Sequence, residues 1–207
     1  MKQTLISASI VAMLSTGAIA GNIDTAIADP VIAPPALTST DWSGSYCGLS
    51  YSSGGGTDAG SSGSTSDYFD DTAIGGFCGN NWQRSNLVYG GELNVTAGSL
   101  AIDNGFSDEL GTRTELRARV GYAMGDALVY GFLGYGTSDV KWGGTNPGGY
   151  DVAGGTYGMG VDYMVTDSMF AGLEVSNLEL KGMPTGGNGE HTHDINVISL
   201  RIGWKFN

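Results

Sequence analysis

Residues 193–207 read HDINVISLRIGWKFN. From Ile198 onward every second residue is large and apolar (Ile198, Leu200, Ile202, Trp204, Phe206), with Ser199, Arg201, Gly203 and Lys205 between them. Strict period-two alternation describes a β-strand with one apolar and one polar face. A soluble sandwich uses the same pattern. A strand that closes the chain, carries two cations on its polar face and ends in aromatics suits a membrane barrel better, with the apolar face in lipid and the polar face on a lumen.

The other end of the chain is consistent with export. Residues 1–20, MKQTLISASIVAMLSTGAIA, place one lysine before an apolar run from Leu5 to Leu14 and close on Ala18-Ile19-Ala20. This is the pattern of a secretory signal peptide cleaved before Gly21. No other stretch approaches the ~18 apolar residues of a membrane helix, so membrane residence has to be by barrel. Residues 21–41 hold three of the five prolines and read as a flexible periplasmic linker, leaving 42–207 as one domain. Losing the leader takes the formal net charge from −12 to −13, and such an acidic chain repels nucleic acid.

Alternation returns from Trp42 in segments of ~10–14 residues, the length of a tilted membrane strand. The expected strands are 42–53, 72–83, 87–100, 112–124, 127–139, 152–165, 168–181 and 193–206. Their connections sort by parity. Arg84-Ser85-Asn86, Gly125-Asp126 and Thr166-Asp167 are hairpin turns, whereas the alternate connections are long and rich in Gly, Ser and Asp. Short periplasmic turns with long outer loops predict an all-β fold, an eight-stranded antiparallel up-and-down transmembrane β-barrel. Trp42, Trp82, Tyr89, Tyr122, Tyr130, Tyr163, Phe170, Trp204 and Phe206 lie near the short-turn ends and are expected to form a periplasmic aromatic girdle. Tyr51, Phe106, Trp142, Tyr150 and Tyr157 would supply the outer one.

Residues 112–124, TRTELRARVGYAM, put Arg113, Glu115, Arg117 and Arg119 on one face. A row of charges is prohibitive in lipid, so that face looks inward, and parity sends Glu92, Asp162, Glu174, Arg201 and Lys205 the same way. Five cations and four anions would then fill a lumen only just wide enough for its side chains, leaving no wide pore.

Several of these stretches resemble one family. WSGSYCGLSYS (42–52) is similar to the W-T-G-F-Y-V-G first strand of the Omp25/Omp31 group of small outer-membrane β-barrel proteins of alphaproteobacteria. Asn81-Trp82-Gln83 with VYGGELN (88–94) resembles the group's "Y-N-W-Q … Y-G-G-E" hairpin. ELRARVGYAMGDALVYGFLGY (115–135) resembles "R-x-R-x-G-Y … Y-x-x-G-G", and LRIGWKF (200–206) the "R-x-G-x-x-Y-K-F" terminus. The resemblance covers 42–206 and implies an integral outer-membrane protein. It also implies insertion by the barrel-assembly machinery through a terminal aromatic signal, here Trp204 and Phe206, although Asn207 follows where the group stops at Phe. Some members of the group bind haem or contact host cells through loops that match nothing here.

Three smaller features remain. Cys47 and Cys78 are the only cysteines; if Ser53 faces Thr72 across the first hairpin, Cys47 faces Cys78 and a disulfide is within reach. His191 and His193, the only histidines, read as a solvated loop edge, with metal or haem capture the less expected use. Ten acids (Asp58, Asp67, Asp70, Asp71, Asp103, Asp108, Glu109, Asp139, Asp151, Glu190) crown the expected outer loops against Lys141 and Lys181. Such a crown hydrates the surface or bridges to lipopolysaccharide through divalent cations. No G-x-S-x-G, H-E-x-x-H or P-loop is present, and two cysteines make no zinc site. A lipid-modifying site would have to use His191 or His193. The expectation is a non-enzymatic barrel without cofactor, lodged in outer-membrane lipid and lipopolysaccharide and serving envelope structure. The alternative is a surface receptor or adhesin that takes haem or a host ligand on its loops.

Overall fold

The computed structural model describes residues 39–60, 65–68, 71–98, 100–103, 109–142, 148–184 and 189–206. The expected signal peptide and most of the linker lie outside them. The strands are β1 (Gly44–Gly60), β2 (Thr65–Tyr68), β3 (Asp71–Arg84), β4 (Leu87–Ala97), β5 (Leu100–Asp103), β6 (Glu109–Leu110), β7 (Arg113–Met124), β8 (Ala127–Trp142), β9 (Gly148–Met164), β10 (Met169–Gly182) and β11 (His191–Phe206). Eight of them form an antiparallel ring in the order β1-β3-β4-β7-β8-β9-β10-β11, and β11 pairs back to β1 with Ser45 facing Phe206. Closure removes every sheet edge, which is the condition for a sheet to sit in lipid.

The short strands β2, β5 and β6 are outer continuations of β3, β4 and β7. They pair in their own ladder, β1-β2-β5-β6-β8, so eight strands also surround the outer mouth. Gly54 faces Asp71, yet three residues on Thr57 faces Asp67, so the register shifts by one residue between the two ladders. The strands therefore reach further outward than the alternation alone suggests. Residues 54–60 are in β1 rather than in a loop, held by β11 from His191 to Val197.

The periplasmic turns take the backbone that two-residue hairpins need. Ser85 (φ 57°) and Gly125 (φ 60°) both sit in the left-handed region. The strand faces then follow parity. Leu116, Leu133 and Leu200 are exposed outward, while Arg117, Phe132 and Arg201 are buried inward. Many of the 36 glycines belong to this inward set, opposite bulky partners. A Cβ on Gly48 would overlap the Phe77 ring, one on Gly203 the Phe170 ring, and one on Gly79 or Gly160 the hydroxyl of Tyr46 or Tyr130. Alternating large and absent side chains is how a narrow barrel is filled.

The girdle corrects three expectations. Trp82, Tyr89, Tyr122, Tyr163, Trp204 and Phe206 are exposed on the lipid side, but Trp42, Tyr130 and Phe170 are buried inside. Their parity, not their nearness to the turns, decides it: Tyr130 lies between inward Leu128 and Phe132, and Phe170 is in step with Glu174. Of the expected outer girdle, Tyr51 and Tyr157 face out, Tyr150 turns toward His193, and the side chains of Phe106 and Trp142 lie outside the described residues.

The steric reading separates two glycines. Gly48→Val should leave no heat-modifiable folded band on refolding into detergent, whereas Gly155→Val, where a Cβ meets nothing within 4 Å, should fold like the unaltered chain. Equal folding of both would refute the inward assignment of Gly48.

Candidate functional site

The interior is built in layers. Near the periplasmic end Trp42, Phe77, Val88, Leu128, Met164 and Phe170 form an apolar cluster with Tyr46, Ala123, Tyr130 and Phe132. Above it lies an ionic layer, which the period-two faces of β4, β7, β9, β10 and β11 bring together from Glu92, Glu115, Arg117, Arg119, Asp162, Glu174 and Arg201. Small polar residues follow (Ser50, Ser52, Asn94, Thr96, Thr156, Ser176, Ser199). An aliphatic cluster of Leu110, Val140, Val152, Leu178, Leu180, Ile195 and Val197 fills the outer end.

Within the ionic layer each guanidinium meets more than one carboxylate. Arg117 donates to Glu174 at 2.7 Å and to Glu115 at 2.9 and 3.1 Å, with Glu92 at 3.6 Å. Arg119 spans Asp162 (2.8 Å) and Glu92 (3.2 Å) and donates to the Tyr46 hydroxyl at 2.9 Å. Arg201 donates to Glu92 at 2.5 Å and to Glu174. Tyr46 and Tyr130 hydroxyls donate to Glu92 (3.0 Å) and Glu174 (2.9 Å). Three rings receive the cations on their faces: Arg119 lies 3.8 Å above Tyr130, Arg201 3.9 Å above Phe77 and Arg117 4.4 Å above Phe132. Charges removed from water are tolerable only when paired and hydrogen-bonded in this way.

Lys205 departs from the expected set. It is half-buried at the rim, where its ammonium donates to the Asp41 backbone carbonyl instead of joining the layer. Arg113 is buried on the same face as Glu115, one step further out. Among the described residues the buried charges are then four arginines (113, 117, 119, 201) and four acids (92, 115, 162, 174), a balanced set.

The periplasmic mouth is crossed by residues 39–42. Thr40 donates from its backbone to Gly125 at 3.0 Å and from its hydroxyl to Asp126 at 2.5 Å, while Trp42 N–H meets the Gln83 side chain at 2.6 Å. Ser43 donates to Asp41 from both its N–H and its hydroxyl, which holds that carboxyl below the usual range. Trp42 packs edge-on against Phe170 with centroids 5.8 Å apart. A cavity of about 10 Å³ remains between Trp42, Asn81, Asp162 and Lys205, room for one water at most.

At the outer mouth the histidines are not a solvated edge. His193 is fully buried, with Tyr150 at 3.1 Å and Asp58 at 3.5 Å, and His191 lies 3.1 Å from the same carboxylate. Strand β11 begins at His191, so both residues share its inward face with Ile195 and Arg201, His193 buried and His191 half-buried at the mouth. Among the described residues no group of three or more His, Cys, Asp or Glu is arranged to hold a metal ion. The acidic crown also changes: Asp58, Asp139 and Asp151 are strand residues, Asp71 and Glu109 are half-buried and Glu190 is exposed. The side chains of Asp67, Asp70, Asp103 and Asp108 lie outside the described residues.

Cys47 faces Cys78 in the register that pairs Ser53 with Thr72, and their sulfurs are bonded at 2.13 Å on the lipid side of the wall. Trp204, which neighbours Cys47 on β11, and Phe206 face outward at the periplasmic end. Asn207 lies outside the described residues.

Comparison with known proteins decides the family. A family model described as the outer membrane protein beta-barrel domain matches residues 25–206. The chain belongs to this family. A 22 kDa outer membrane protein of Rhizobium leguminosarum bv. viciae is 32% identical over 135 residues, 63% of this chain and 64% of that protein. The 25 kDa outer-membrane immunogenic protein of Brucella ovis is 32% identical over 183 residues, 86% of this chain and 85% of its own length. Two solved barrels share the fold at low identity. Neisserial surface protein A has a TM-score of 0.56 at 12% identity, over 79% of this chain and 98% of its own. OprG of Pseudomonas aeruginosa has 0.54 at 14%, over 80% and 97%. This member of the outer membrane β-barrel family is thus a protein of the Gram-negative outer membrane, and its exposed apolar belt is its lipid contact.

Burial makes the ionic layer sensitive to single deletions. Arg201→Ala takes a shared cation from Glu92 and Glu174 and leaves four buried acids against three arginines, which should cost about 3–5 kcal/mol in urea unfolding of the detergent-folded barrel, while rim Lys205→Ala should cost under about 1 kcal/mol. Equal small losses at both positions would contradict the assignment of Arg201 to the interior.

Proposed function

We propose that this chain is a non-enzymatic structural barrel of the outer membrane whose own ion pairs close its lumen. The observation that carries this reading is the balanced ionic layer between two apolar layers. A diffusing solute would have to part Arg117, Arg119 and Arg201 from their carboxylates and displace the aliphatic outer cluster. Breaking such a buried pair costs several kcal/mol, far above thermal energy. An eight-stranded ring has no spare interior to route around them.

On this reading residues 1–20 direct export and residues 21–41 remain on the periplasmic side. The barrel-assembly machinery engages the last strand through outward Trp204 and Phe206. The Cys47–Cys78 bond ties off the first hairpin in an oxidising compartment. The contribution to the envelope is a rigid, lipid-matched cylinder presenting acidic outer segments. Ligand capture by those segments is the second reading. The name of the Brucella relative, an immunogenic protein, favours surface exposure, whereas the burial of His193 and the Asp58 contact of His191 do not favour haem capture by that pair.

Solute flux tests the closed lumen. Liposomes carrying the refolded chain should swell in arabinose no faster than protein-free liposomes. Swelling at the rate of a general porin would overturn the proposal.

A further inference from the structure

The lipid-facing wall is not uniformly studded with side chains. Two neighbouring rows of outward residues run across β7 to β11 along the hydrogen-bonding direction. The upper row is Ala118–Leu133–Tyr157–Asn177–Asn196 and the lower is Val120–Gly131–Met159–Val175–Ile198. Between them lies a trough of about 720 Å³, within the ~300–1,000 Å³ of ordinary ligand pockets. Leu133, Tyr157 and Met159 stand as its banks, exposed by 71%, 55% and 62%, while Ala118 and Gly131 leave its floor low. The missing side chain at Gly131 is not a packing necessity: a Cβ there would approach nothing closer than the Gly158 carbonyl at 3.6 Å. An adjoining hollow of about 440 Å³ continues the trough past Asn196 over Ser53 and Gly55.

The two ends differ in chemistry. The β7–β9 arm is apolar, and the β10–β1 arm adds the amides of Asn177 and Asn196 and the hydroxyl of Ser53 to Val175 and Ile198. Asn177 donates to Asp194 at 2.6 Å and to the Asn196 oxygen at 3.2 Å, which leaves the N–H donors of Asn196 without an acceptor among the described residues. Beyond these amides the outward residues become charged (Glu179, Lys181, Asp194), so the Asn pair marks the outer water–lipid boundary. The trough therefore descends from that boundary toward the middle of the bilayer and is continuous with the belt that lipid already covers.

We propose that this trough seats an acyl chain of an outer-leaflet lipid, its ester or amide carbonyl accepting from Asn196 and its methylenes lying over Gly131 and Ala118. The proposal rests on the outer-membrane location and selects one face of the belt as a retained-lipid site. An acyl chain suits it because the apolar arm offers no charge, the polar arm offers donors at the depth of a lipid's carbonyls, and a flexible chain follows a curved wall that a second barrel would only bridge.

The test uses the full mature chain in phosphatidylcholine vesicles doped with a phospholipid carrying a diazirine in one acyl chain. Crosslinks mapped by mass spectrometry should concentrate on Leu133, Tyr157 and Met159. Gly131→Leu, which excludes about two methylenes of the chain, should reduce them by about tenfold. Gly76→Leu, outward on β3 with its nearest contact at 3.7 Å, should not change them. Crosslinks spread evenly over all outward faces, or unaffected by Gly131→Leu, would overturn the proposal. Crosslinks between two copies that Gly131→Leu abolishes would overturn it in favour of a barrel–barrel contact. Crosslinks on no outward residue would instead contradict the membrane location itself.

Discussion

A bilayer core offers neither water nor counter-ion, so a chain that enters it has to satisfy every backbone bond and every charge within itself. That constraint accounts for most of this structure. It closes the sheet by pairing β1 with β11, sends Leu116, Leu133 and Leu200 outward, and drives Arg117, Arg119 and Arg201 into the only space without lipid. Once those guanidiniums are inside, the carboxylates must follow, and glycine must make room. Gly48 clears Phe77, on whose ring Arg201 stacks, and Gly160 clears Tyr130, which bonds Glu174. Charge, aromatic ring and glycine thus form one solution to one packing problem.

The position of Lys205 shows how tightly the interior is balanced. Its parity matches that of Arg201, but four residues nearer the chain end the ring opens to the periplasm. A flexible ammonium reaches water and the Asp41 carbonyl there, at little desolvation cost. Arg117, Arg119 and Arg201 have no such exit, and their planar forks each hold two or more partners where a lysine would hold one point contact. The layer is consequently made of arginine and ends where solvent begins.

Much of this was legible in the sequence because the barrel's rules are local. Period-two alternation names the face of a residue, and sorted connection lengths name the side of a loop. What escaped had non-local causes or asked the wrong local question. Trp42, Tyr130 and Phe170 were expected in the girdle because they lie near turns, although parity already places Tyr130 with Leu128 and Phe132. The Gly54–Gly60 stretch has no alternation of its own. It is a strand only because β11 presents His191 to Val197 to it, a pairing between residues far apart in the chain. That same extension carries Asp58 to His193 and converts an expected solvated edge into a buried contact. The trough at Gly131 has no sequence signal at all, since one outward glycine among many becomes a groove only when its neighbours' rows are known.

The central claim, that one face of every strand meets lipid and the other the interior of the ring, is tested most directly with leucine methyl groups. In nanodiscs containing a lipid with a paramagnetic label on its acyl chain, the methyl signals of Leu116, Leu133 and Leu200 should broaden beyond detection. Those of Leu128, Leu178 and Leu180, buried inside the ring, should remain sharp. Equal broadening of both sets, or broadening confined to the second, would contradict a closed barrel with this parity.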